Sequence, residues 1–125
     1  MRKSIEAANV ACDAVVALVN DGSTFSSGGL YLRNEDYTAV TRLPLSDPAF
    51  IDATDGTSYA NPIFDATSYM DATIALYDIR NRDDAVIWDG TASTFSGVGD
   101  FKLPTLIVYQ DSTIAVSSGF YAVPR

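Results

Sequence analysis

Between Ala72 and Asp89 the chain sets two β-forming runs on either side of a compact turn, and no other stretch restricts the fold as strongly. Ile74, Leu76, Tyr77 and Ile79 fall in the first run, Ala72 to Arg80, while the second, Ala85 to Asp89, holds Val86, Ile87 and the chain's one tryptophan, Trp88. The residues between them, Asn81-Arg82-Asp83-Asp84, are turn formers, so the segment predicts a β-hairpin. Its enrichment in β-branched and aromatic residues makes it the expected central ladder of a sheet.

Upstream, Ser4 can cap a helix in which Ile5, Ala8, Cys12, Val15 and Val19 recur at helical spacing. Glu6, Asn9, Asp13 and Asn20 mark the opposite, polar face, and Gly22 supplies a stop, so the helix is expected over residues 4–20. Arg2 and Lys3 before an Ala/Val-rich stretch imitate a signal peptide, but Glu6, Asn9 and Asp13 interrupt the apolar run and favour a helix of the mature protein. Such a helix can cover its own sheet or dock on a neighbouring subunit, and the first is the ordinary use.

A first hairpin is expected from Leu30–Arg33 and Tyr37–Leu43 around Asn34-Glu35-Asp36, with Pro44 barring a central-strand continuation. Leu45 to Phe64, with Pro48, Gly56 and Pro62, reads as a long connection pinned by Phe50, Ile51, Tyr59 and Ile63, holding one short strand near Thr57 to Ala60. Further short runs follow at Phe101–Leu103, Thr105–Tyr109, Ile114–Val116 and Gly119–Val123. The expected fold is mainly β: one domain over 1–125, with a β part over 29–123 forming an antiparallel β-sandwich or barrel-like domain of about seven to eight strands with one N-terminal α-helix.

Composition narrows the chemistry. The chain of 125 residues carries 16 acidic and 8 basic residues, a net charge of -8, and no basic cluster, which argues against nucleic acid as a partner. No apolar run approaches the roughly 20 residues a membrane-spanning helix needs, so no membrane partner is expected. Fourteen of the acids are Asp, a residue suited to turns. Cys12 stands alone, which rules out an internal disulfide and suits a small core residue.

The chain contains no histidine, which removes the commonest general base, the usual Ser and Cys triads and most transition-metal sites. Gly97-Val98-Gly99 lacks the third glycine and following helix of a dinucleotide site. Asp52 to Gly56 lacks the alternating ligands of a calcium loop. Asp78, Asp89 and Asp100 lie near strand ends where paired carboxylates could cleave a glycoside, yet 14 aspartates make chance proximity common. The expectation is no enzyme, no catalytic residues, no metal and no cofactor. Seven tyrosines suit a protein interface ahead of a glycan, since tyrosine combines area with a polar handle.

Three motifs taken together resemble those of small uncharacterised virion proteins of tailed bacteriophages. They are Ala8-Asn9-x-Ala11-Cys12-Asp13-Ala14-x-Val16-x-Leu18-Val19-Asn20-x-Gly22, then Leu43-x-Leu45-Ser46-Asp47-Pro48-Ala49-Phe50, then Asp55-Gly56-x-x-x-Ala60-Asn61-Pro62-Ile63. The likeness continues through Ala66-Thr67-Ser68, Asp71-Ala72-Thr73 and Asp89-Gly90 to Gly99-Asp100-Phe101-x-Leu103. The chain departs from that pattern in having Asp21-Gly22 after Asn20, where two glycines are usual, and in its higher aromatic content. The resemblance implies a structural protein of the virion, coded among head genes: a capsid decoration or cement protein, with a head-tail connector or tail accessory component, or a glycan-binding module, as alternatives. It implies production in the host cytoplasm, contact with the major capsid protein or neighbouring virion proteins, and a homo-oligomer such as a trimer. The candidate interface residues are Arg2 and Lys3 at the basic start, Phe25 in the loop after the helix, and Phe120 and Tyr121 near the apolar end.

Overall fold

A computed structural model describes residues 2–124. Ser4 caps the helix, its hydroxyl accepting from the Ala7 N–H at 3.1 Å, and α1 runs over Ile5–Ala17 before tightening into a 3-10 turn at Leu18–Asn20. Gly22 follows with φ of +116°, the left-handed conformation glycine adopts without steric cost. The helix buries Ala8, Cys12, Val16 and Val19. Val16 therefore takes the inward position expected of Val15, and Ile5 lies 40% exposed at the outer end. The free Cys12 is in the core, its thiol 3.5 Å from the Tyr121 carbonyl.

The strands are β1 (Gly29–Arg33), β2 (Ala39–Pro44), β3 (Thr57–Tyr59), β4 (Ala66–Thr67), β5 (Ala72–Thr73), β6 (Leu76–Arg80), β7 (Val86–Thr94), β8 (Phe101–Leu103), β9 (Ile107–Val108), β10 (Thr113–Ile114) and β11 (Ser118–Ala122). Seven form one sheet in the order β2-β1-β6-β7-β8-β11-β3, and β4 with β10 and β5 with β9 form two small ladders, giving a mainly β, sandwich-like fold. The hairpin of β6 and β7 lies at the sheet's centre as its composition predicts, and the first hairpin pairs Leu30 with Leu43.

Two expectations need correction. The main sheet is mixed: β7 and β8 run parallel, Ala92 beside Phe101, because residues 95–100 double back instead of closing a hairpin. Gly99 permits this return, since a Cβ there would come within 2.7 Å of the Thr91 oxygen and the Ala92 carbonyl carbon. The run from Ala72 to Arg80 is also not one strand. Ala72 and Thr73 pair with β9, and only from Leu76 does the chain enter the main sheet.

Period-2 alternation sends Leu30, Leu32, Tyr77 and Ile79 to one face, where they meet Val40, Leu43, Phe101 and Leu103 in the core. The long connection is held differently from the aromatic anchoring its sequence predicts. Phe50 is buried, but Ile51, Tyr59 and Phe64 are exposed. The polar stripe of the helix grips the backbone instead: Asn9 Oδ1 accepts from the Gly56 N–H at 2.7 Å, Asp13 Oδ1 from Ala53 at 2.8 Å and Asn20 Oδ1 from Ala49 at 3.0 Å.

The connection and the residues just after it bond part of both outer strands of the sheet. On β2, the Val40 and Pro44 carbonyls accept from the Tyr69 and Phe64 N–H groups. On β3, the Tyr59 carbonyl accepts from Ile51 and the Ser58 hydroxyl donates to the Ile51 carbonyl.

Candidate functional site

The face of the central strands opposite the core carries a charged network. Asp78, fully buried, accepts from Arg33 Nε at 2.7 Å, Arg80 Nε at 3.1 Å and the Tyr37 hydroxyl at 3.1 Å. Arg80 reaches on to Asp84 at 3.3 Å, and its guanidinium lies 4.6 Å from the Tyr31 ring centre. Burial and the neighbouring Asp78 raise the Tyr37 hydroxyl above its ordinary pKa. Beside this network Arg42 stacks 4.2 Å over Phe25 and donates to the Ser27 carbonyl. A Cβ on Gly29 would come within 2.5 Å of Arg42 Nε, so the missing side chain there lets the guanidinium lie flat on the strand. Asp78 is thus committed to structural partners.

A second feature lies where the sheet splits. β8 begins at Phe101, so β7 before Ala92 and β11 after Gly119 have no strand paired between them. Trp88 and Asp89 from β7, Phe120, Tyr121 and Ala122 from β11, and Asp100 just before β8 line the resulting cleft of about 220 Å³. Trp88 and Tyr121 meet across it with ring centres 4.7 Å apart, and Phe50 backs the indole at 5.5 Å. The Tyr77 hydroxyl donates to Asp100 Oδ2 at 2.7 Å and accepts from Trp88 Nε1 at 3.1 Å. Burial first, then the hydrogen bond to Asp100 and the charges of Asp100 and Asp89, push the Tyr77 hydroxyl far above its ordinary pKa.

The third feature is a tip. Between β7 and β8 the turn Thr94 to Gly97 closes with a Gly97 N–H to Thr94 carbonyl bond, and Lys102 Nζ ties it down through the Gly97 carbonyl and Ser93 Oγ. On it Phe95 is 63% and Val98 97% exposed, the latter the most exposed of the large apolar side chains among the described residues.

The sequence-predicted interface residues separate into two groups. Lys3 Nζ donates to the Pro124 carbonyl at 2.7 Å, which ties the basic start to the strand that carries Phe120 and Tyr121. Arg2 is exposed beside Lys3 in the chain. Phe25 sits apart from these contacts, its ring under Arg42 and its backbone bonded to Arg82 in both directions. The sequence reading singled out neither Phe95 nor Val98, because a glycine-flanked turn carries no periodic signal of exposure. Asp89 and Asp100 do come together at one cleft, whereas Asp78 stands in the arginine network. No helix among the described residues is long and apolar enough to cross a membrane. Comparison of the chain with models of protein families, with curated proteins and with solved structures finds no match in any of the three.

Proposed function

We propose that this protein works by adhesion, as a bacteriophage virion structural protein and in particular as a capsid decoration or cement protein. The observation that carries the reading is the tip: two large apolar side chains held in solvent on a turn that Lys102 braces. Side chains held out in water are costly to a monomer and gain when a partner covers them, at about 25 cal/mol for each Å² removed from water. The motif resemblance supplies the setting, and the Lys3 and Phe120–Tyr121 end supplies a second contact region on the same chain. In such an arrangement many modest contacts add across a capsid joint, and an oligomer, a trimer among the options, multiplies them.

The test uses purified virions. Particles should contain the chain in copies stoichiometric with the major capsid protein, and particles lacking it should lose integrity at lower temperature. The double variant Phe95→Ser, Val98→Ser should fold normally and reduce incorporation at least about tenfold, the equivalent of about 1.4 kcal/mol. Unchanged melting of depleted particles would sink the cement reading. A handful of copies per particle would instead favour a head-tail connector or tail accessory role.

A further inference from the structure

The cleft at the split of the sheet combines two features that favour the same kind of guest. Trp88, Tyr121 and Phe120 line it together with Asp89 and Asp100, Trp88 on the core face of β7 opposite Ile79 and Asp89 on the other face opposite Asp78. Aromatic faces carry negative quadrupole density and attract cations, and carboxylates do the same by charge. No guanidinium or ammonium group lines the cleft. The ion pairs among the described residues are made by Arg33, Arg80, Asp78 and Asp84, so neither cleft carboxylate is neutralised by an ion pair. Asp100 spends one oxygen on the Tyr77 hydroxyl, and the Asp89 carboxylate, in register with Asp78 of β6, accepts no hydrogen bond among the described residues.

We propose that this cleft is a receptor for a guanidinium group and, resting on the adhesion reading above, that the group is an arginine side chain of the neighbouring virion protein. Guanidinium fits better than ammonium because it is flat, stacks on aromatic rings and can present separate N–H groups to two acceptors. A volume of about 220 Å³ accommodates about seven water-sized groups, enough for a whole arginine side chain. The fixed frame favours binding with little reorganisation: Phe50 backs the indole, and the Trp88 N–H and Asp100 Oδ2 are both held by Tyr77. The partner arginine displaces water from the cleft and compensates charges that the chain itself leaves uncompensated.

Trp88 is the chain's one tryptophan, so its fluorescence reports occupancy directly. The full chain is titrated with butylguanidinium chloride, with butylurea as its neutral isostere and with a neutral disaccharide, all at constant ionic strength. The expected result is saturable quenching by butylguanidinium in the millimolar range and none by butylurea. Asp89→Asn and Asp100→Asn should each weaken the guanidinium about threefold to fivefold, the upper part of the range for exposed ion pairs. Asp89→Asn removes no internal hydrogen bond, so its thermal midpoint should match the wild type and the loss cannot come from misfolding. Absence of saturation, equal response to butylurea, or saturation by the disaccharide in place of the cation overturns the receptor. If virion incorporation depends on Phe95 and Val98 while butylguanidinium leaves the emission unchanged, adhesion stands and the receptor falls. Saturable guanidinium binding in a chain absent from virions upholds the receptor and removes the virion partner.

Discussion

Both carboxylate oxygens of Asp78 are taken, Oδ2 by Arg33 and Tyr37 and Oδ1 by Arg80, in a place from which water is excluded. Asp78→Ala would leave the Arg33 guanidinium in the sheet without its counter-charge and Arg80 with Asp84 alone, and breaking a buried pair in this way costs about 3 kcal/mol. Urea denaturation should record that loss, whereas Asp84→Asn, at a partly exposed pair and a left-handed backbone position that Asn tolerates, should cost less than about 1 kcal/mol. Asp83 behaves differently. Hydrogen bonds from the Ser23 and Thr24 N–H groups and the Thr24 hydroxyl hold its pKa below the ordinary 3.8, so its contribution is complete above 3.8 and disappears as the pH falls through the lowered folded value. Asp83→Asn should therefore flatten the most acidic limb of a plot of thermal midpoint against pH. From the sequence Asp78 looked like one of three carboxylates poised at strand ends. Its partner Arg33 lies in β1, 45 positions away, and a single sequence holds no sign of that pairing.

At the scale of elements, the helix was legible down to its cap, since Ser4, the apolar spacing and Gly22 each have a local physical cause. The use of its polar face was not. Asn9, Asp13 and Asn20 read as a solvated stripe because amphipathicity distinguishes apolar from polar, not water from a backbone N–H. Replacing any one of them by Ala leaves a backbone donor of the 49–56 segment unsatisfied at a cost of about 1–3 kcal/mol. Hydrogen exchange should then quicken at Ala49, Ala53 or Gly56 while the amides of β6 and β7 keep their protection; loss of protection throughout would mean the stripe serves the whole fold. The hairpins were legible for the same local reason as the helix, in that Asn34 and Asn81 side chains accept from the backbone two and four residues ahead. The parallel return into β8 was hidden because it depends on glycine contacts with residues already folded elsewhere.

For the molecule as a whole, the mainly β class was legible in the sequence, but the cleft exists only because a short strand leaves a gap between two longer ones. Trp88 and Tyr121 are 33 positions apart in the chain and meet through the order of the sheet. The tip likewise depends on topology, since Phe95 and Val98 protrude at the point where the path reverses. The covering of β2 by residues 64–69 and of β3 by the segment around Ile51 bears on what happens when copies are crowded together. Main-chain groups left bare at a sheet margin template cross-β growth, and crowding makes that growth harder to avoid. Here the Val40 and Pro44 carbonyls on β2 and the Tyr59 carbonyl on β3 are already bonded by the chain's own loops, so neighbours pressed side by side find fewer places on those rims on which to zip into fibrils, and dense packing is more readily undone into individual folded units.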